Sequence, residues 1–189
     1  MLVWEDECWF SRFAPPTLNA WTLRGKAIAL EQKERHKEDE EAKAVACYGA
    51  LEEETGQVLL RFSPGQPDSS YTLEFLKYLL WVAEEKGKQA LLVIWDNATW
   101  HKSKQIKEWV KEHNWQVKGK GGVRLLTFLL PIKSPWLNPQ EPHWVHCKKN
   151  VVEPKETLTM WQLKERIRSY FNSDAPLENS FNLSLMDLH

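Results

Sequence analysis

The chain has 189 residues, 42% hydrophobic and 27% charged, enough for one domain that buries roughly 70% of its unfolded surface. No run of eighteen uncharged apolar residues, no secretory cleavage pattern and no C-x-x-C pair occurs, which points away from a membrane span, a leader or a disulfide framework and towards the cytoplasm. The net charge of −1 hides an asymmetry: nine acidic against four basic residues between 31 and 60, and ten basic against three acidic between 101 and 150.

In chain order, Leu2 to Trp4 is a short β-prone run that meets Glu5, Asp6 and Glu7, which predicts a strand ending there. Residues 26–30 and Ala44 to Leu51 also read as extended, and the charged stretch 31–43 reads as a loop or hairpin tip. Gly56 marks the turn of a hairpin that returns through Gln57 to Phe62. Leu73, Leu76, Leu80 and Ala83 recur at helical spacing up to a stop at Gly87. The continuous apolar run Ala90 to Trp95 predicts a central parallel strand, broken by Asp96 and Asn97.

Ile106, Trp109, Val110 and His113 define a second amphipathic helix with Lys104, Lys107 and Lys111 on its outer face, and Arg124 to Leu130 returns as a strand. Asn138 as N-cap and Pro139 at the first helical position start a helix that continues to about Val152. A last helix spans roughly Thr159 to Phe171, before a polar tail. This order predicts an α/β domain: a mixed sheet of antiparallel hairpin strands and parallel central strands with flanking helices. The eleven Trp residues and the thiols Cys8, Cys47 and Cys147 are expected mostly in the core.

Three carboxylates fall at element ends: Asp6, Asp96 and Glu141. Each has a plain reading, as an acidic turn, a cap or a capping-box residue. Together they suggest more, because groups at the carboxyl ends of strands line the crevice of an open sheet. Glu141 shares a helical face with Trp144 and Val145 and is expected to point towards that sheet. Converging carboxylates repel one another, and a hard divalent cation such as Mg²⁺ or Mn²⁺ relieves the repulsion. His143, His146 and Cys147 are close in sequence but do not share one direction on a regular helix, which argues against zinc there.

Asp6-Glu7 after an apolar strand, Trp21 to Gly25 (WTLRG), Asp96-Asn97-Ala98 with His101, and Ser134 to Trp144 (SPWLNPQEPHW) together resemble the DDE-type transposases of the insertion-sequence-630 family, relatives of mariner. The resemblance implies a ribonuclease H-like fold over residues 1–172, a polar tail over 173–189, a catalytic triad of Asp6, Asp96 and Glu141 that also holds two Mg²⁺ or Mn²⁺ ions, and DNA as substrate. It implies nicking at transposon ends, transfer of the freed 3′-hydroxyl into target DNA, and self-association. Asn97, His101, Lys102, Lys104, Lys107, Lys111, Lys118, Lys120 and Arg124 are the candidate nucleic-acid contacts. The alternatives are an inactive or accessory DNA-binding and oligomerisation remnant, and another ribonuclease H-like nuclease such as a resolvase.

Two departures from the family stand out. Met1 falls five residues before Asp6, so the family's amino-terminal helix-turn-helix reader is expected to be absent or separately encoded, and the first strand to be clipped. The interval from Asp96 to Glu141 is wide, with residues 115–124 (WQVKGKGGVR) read as an inserted surface loop in preference to a DNA-contacting hairpin.

Overall fold

The computed structural model describes residues 1–16, 33–153 and 155–177. Strand β1 (Leu2–Ser11) runs straight through the acidic triplet, so the strand end predicted at Glu5 to Glu7 is corrected. The physical reason is its neighbour β2 (Ala44–Glu52), which pairs antiparallel with β1 from Val3↔Glu52 to Ser11↔Ala44 and satisfies the backbone along this length. Alternation then separates the acids, with Glu5 and Glu7 on one face and Asp6 on the other with Cys8 and Phe10.

β3 (Val58–Ser63) completes the expected hairpin across a turn in which Gly56 takes φ 70°. α1 (Ser69–Glu85) starts where Asp68 accepts from the backbone N–H groups of Ser70 and Tyr71, and stops before Gly87 at φ 63°. β4 (Ala90–Trp95), α2 (Lys104–Lys120), β5 (Arg124–Leu129), α3 (Gln140–Val151) and α4 (Met160–Tyr170) follow. The sheet order is β3-β2-β1-β4-β5, with β4 parallel to both β1 and β5 and β2 antiparallel to both β1 and β3. Residues 33–43 form neither helix nor strand, as expected. The extended segment expected over 26–30, the Trp21 to Gly25 motif and the tail from 178 onward lie outside the described residues.

Each face of the sheet carries its own core. Val3, Tyr48, Leu91, Val93, Trp95 and Leu125 meet Leu76 and Leu79 of α1 and Ile106 of α2 on one side. Cys8, Phe10, Cys47 and Leu60 meet Trp144 and Cys147 of α3 and Leu163 and Ile167 of α4 on the other. The three thiols are free and buried, and burial pushes the Cys8 thiol up to about 11, which leaves it unreactive at neutral pH.

The expectation of a mostly buried Trp set is corrected. Among the described residues only Trp95 and Trp144 are fully buried, while Trp9, Trp115, Trp136 and Trp161 are exposed. An indole is large and carries one donor, so it often ends half in water, as Trp4 does when it donates to the Glu53 carboxylate at 2.6 Å.

The inserted loop is corrected as well, because residues 115–120 extend α2. Asn114 brackets β5 through the Leu125 N–H and C=O at 2.9 and 2.7 Å, and His113 bonds the Val123 carbonyl at 2.8 Å. These bonds hold the helix on the sheet until Gly121, at φ 83°, ends it.

Candidate active site

Strand register brings the first two carboxylates together. Pairing of β1 with β4 ends at Trp4↔Ile94, and the same register carried two residues further sets Asp6 beside Asp96, on strands spaced about 4.8 Å apart. There β4 ends while β1 continues against β2 alone, so a crevice opens at the carboxyl end of β4.

The third carboxylate arrives on α3, which two contacts seat on β1 and β2. Buried Asn138 donates from Nδ2 to the Glu5 carbonyl at 3.0 Å and accepts from the Gln140 N–H at 3.0 Å, which ties the start of the helix to β1, while the N-cap position falls at Pro139, one residue later than expected. Further along, Trp144 lies over Gly49, the cross-strand partner of Asp6. A Cβ on Gly49 would stand 2.5 Å from the indole ring, so only glycine lets the ring down onto the strand. Glu141 lies three residues before Trp144 on that face, whereas Val145, expected to share it, is exposed.

Asp6, Asp96 and Glu141 accordingly line one cavity of about 390 Å³, together with Asn97, Lys133 and Asn138. Burial, and then the charges of Glu141 and Glu7, push the Asp6 carboxyl up to about 8. Asp96 moves the other way: its hydrogen bond with His101 and a second from the Ala98 N–H at 2.8 Å hold it below the usual carboxylate range. One acid is kept neutral and its neighbour ionised. This donor set fits a hard divalent cation, which would displace the Asp6 proton and relieve the repulsion with Glu141.

The expected nucleic-acid contact at His101 is corrected, because the residue is buried beneath the cavity. The turn after β4 folds its ring onto Trp95, with centroids 4.5 Å apart and planes within 5°. Nδ1 lies 3.0 Å from Asp96 Oδ1, while Nε2 lies 3.2 Å from Glu7 Oε1 and 3.3 Å from Glu5 Oε2. Burial alone would lower its pKa, but Glu5, Asp96 and Glu7 overrule that and raise it to about 11. Burial, then Glu7, raises that of Glu5. Among the described residues, Glu5, Glu7 and His101 are the group whose ligand atoms all lie within 4.8 Å of one another, and the imidazolium itself supplies the positive charge there. His143, His146 and Cys147 diverge as argued, since Cys147 is in the core and His146 faces solvent.

Asn97 reaches the cavity wall, but its amide donates to the Leu130 carbonyl and joins the ends of β4 and β5. Lys104, Lys107, Lys111, Lys118, Lys120 and Arg124 are exposed, and Lys102 partly so. Sequence reasoning missed Lys133, a cation on the cavity wall at the left-handed φ of 58°, and it missed the contributions of Glu7 and Gly49. A glycine inside a strand run was the available signal for Gly49.

A five-stranded mixed sheet in the order β3-β2-β1-β4-β5, with β4 parallel to β1 and β5 and helices on both faces, has the ribonuclease H-like fold. The chain belongs to the DDE superfamily endonuclease family, whose model matches residues 1–164. Among curated proteins it is similar to the insertion element IS630 uncharacterized 39 kDa protein of Shigella sonnei, at 25% identity over 159 residues that make up 82% of this chain and 40% of the relative. Among solved structures it is similar to the Mos1 strand transfer complex, with a TM-score of 0.61, 14% identity, and coverage of 95% of this chain and 49% of that one. The Mos1 transposase paired-end complex with left transposon end gives a TM-score of 0.64 at 15% identity, covering 95% of this chain and 49% of that one. The Mos1 mariner paired end complex with Mn gives 0.64 at 14% identity, covering 90% and 48%. The chain therefore spans less than half the length of these relatives. Among the described residues no helix is long and apolar enough to cross a membrane.

Proposed function

We propose that this chain is the catalytic domain of a transposase, which nicks DNA at transposon ends and transfers the freed 3′-hydroxyl to target DNA, with Asp6, Asp96 and Glu141 as the catalytic and metal-holding triad. The observation that carries the reading is the shared cavity, in which three carboxylates from remote parts of the chain meet and one of them, Asp6, retains its proton up to about pH 8. These hard oxygens would hold two Mg²⁺ or Mn²⁺ ions, whose Lewis acidity serves the attacking water or 3′-hydroxyl and the leaving 3′-oxygen.

The residues divide the remaining work. Asp96 is held ionised and oriented by His101, Asp6 releases its proton as the site loads, and Glu141 is held over β1 by Asn138 and Trp144. Lys133, on the cavity wall, offers the scissile phosphate a counter-charge. The exposed lysines of α2 track the DNA backbone at a distance from the reacting bond. The reading includes self-association and end recognition by a helix-turn-helix part.

The test is phosphodiester nicking in Mg²⁺ or Mn²⁺. Asp96→Asn or Glu141→Gln lowers it at least about 10²-fold while circular dichroism keeps the wild-type spectrum. Absence of cleavage by the wild-type chain with either metal, alone and with an end-binding domain supplied, would reject the enzyme in favour of an accessory DNA-binding module.

A further inference from the structure

We propose that His101 is a positioning residue for Asp96, clamped from the far face of β1 by Glu7, so that the half-exposed carboxylate facing the cavity is oriented by a chain that runs from Glu7 through the buried His101. The inference rests on the triad reading above and extends it to two residues that face away from the cavity lined by Asp6, Asp96 and Glu141.

Four contacts fix the ring. Trp95 stacks on its face at 4.5 Å, Asp96 Oδ1 lies 3.0 Å from Nδ1, and Glu7 Oε1 and Glu5 Oε2 lie 3.2 and 3.3 Å from Nε2. Both ring nitrogens face only carboxylate or carbonyl oxygens, so both serve as donors, and the ring has no freedom to flip without losing a partner. Glu7 is held in its turn by the Trp100 Nε1–H, which donates to the same Oε1 at 2.7 Å.

Asp96 needs this support because it lies beyond the last residue of β4 and is half exposed, with the Ala98 N–H as its other hydrogen-bond donor among the described residues. Alternation along β1 makes the arrangement possible. Asp6 faces the cavity while Glu5 and Glu7, on either side of it, point to the opposite face and meet the histidine that the β4 turn carries across. A carboxylate–histidine–carboxylate chain of this kind conveys the rigidity of the core to a ligand at the surface, and breaking such outer support weakens metal binding by about 10–100-fold.

The experiment titrates Mn²⁺ into the full chain by electron paramagnetic resonance, with wild type, His101→Asn, His101→Gln, Glu7→Gln and Asp96→Asn. The Asn amide reaches the place of Nδ1 and preserves the bond to Asp96, whereas the Gln amide reaches the place of Nε2 and preserves only the bond to Glu7. The expected result is Mn²⁺ binding about 10–100-fold weaker in His101→Gln, restored to within a few-fold of wild type in His101→Asn, and weakened to an intermediate degree in Glu7→Gln. Equal losses in His101→Asn and His101→Gln, or wild-type affinity in His101→Gln, overturn the proposal. If His101→Gln does not fold, Glu7→Gln decides: unchanged Mn²⁺ affinity there overturns it too. A wild-type chain that binds no Mn²⁺, with Asp96→Asn indistinguishable from it, overturns the metal-triad reading itself and this inference with it, a pattern distinct from the others.

Discussion

A carboxyl that keeps its proton up to about pH 8 makes Asp6 both the most strained acid of the cavity and the one most responsive to a cation. In the unfolded chain the same group ionises near pH 4, so between about pH 4 and 8 the folded state binds more protons than the unfolded state. The contribution of Asp6 to stability is therefore fully present below about pH 4 and declines as pH rises towards 8, where folding forces a charge beside Glu141 and Glu7. Asp6→Asn is predicted to melt about 3 °C above wild type at pH 8 without divalent cations, and level with it at the acid end of this window. Mg²⁺ is predicted to raise the wild-type melting temperature and to leave the variant unchanged, because the cation can no longer displace a proton from that position. Calorimetry at acid and alkaline pH, with and without Mg²⁺, checks both statements. A variant less stable than wild type at pH 8 would show that Asp6 is not held under repulsion. The trade of stability for a metal-ready site is the usual one at catalytic centres.

At the scale of elements, the cavity exists because α3 rests low on the sheet, and Gly49 sets that height. An alanine there meets the Trp144 ring at 2.5 Å with strand backbone beneath it, so the helix must rise or the indole must turn. Gly49→Ala is predicted to lose about 1–3 kcal/mol in urea unfolding and, by moving Glu141 away from Asp6, to lose nicking activity beyond what the destabilisation explains at low temperature. Full activity in Gly49→Ala would detach the seating of the helix from the chemistry. Elements of this kind were legible in the sequence where periodicity was strong: α1 from its leucine spacing, β4 from the run Ala90 to Trp95, and α4 from Thr159, whose capping box with Gln162 is present. The misreadings share one cause, long-range pairing that local chemistry does not announce. β1 continues through three acids because β2 lies along it, and α2 continues through Gly119 because His113 and Asn114 grip β5. Asp6, Asp96 and Glu141 could be picked out as acids beside strands and a cap, but their convergence depends on the parallel register of β1 with β4, which no local pattern contains. His101 was misassigned for the complementary reason, since a histidine beside a cavity-lining acid reads the same from sequence whether it faces DNA or the core.

Across the whole molecule, strand order turns a charge asymmetry along the chain into one across the sheet. The acidic stretch that precedes β2 is tied down by Arg12 through Asp39 and Glu41 at 3.0 and 2.9 Å, on the β2 side of β1. The lysines of α2 lie beyond β4, where that helix packs on the edge strand β5. Under the proposed function, a duplex that reaches both the candidate site and the α2 lysines would be drawn towards the β4–β5 side of the sheet, away from the acidic stretch. Local attraction of this kind acts within about 10 Å at ordinary salt and is not cancelled by a net charge near zero. Only Lys104 among Lys104, Lys107 and Lys111 has an ion-pair partner among the described residues, a loose contact with Glu108 at 3.6 Å, which leaves these side chains available to phosphates. Reversing all three to Glu is predicted to weaken duplex binding and to reduce the slope of log affinity against log salt by about 3, one counterion for each lost phosphate contact. Fluorescence anisotropy across a range of salt concentrations, without divalent metal so that cleavage does not intervene, measures that slope directly. A wild-type slope in the triple variant would move the DNA path off α2 and leave Lys133, on the cavity wall, and Lys148 and Lys149, in the last turn of α3, as the basic residues to test next.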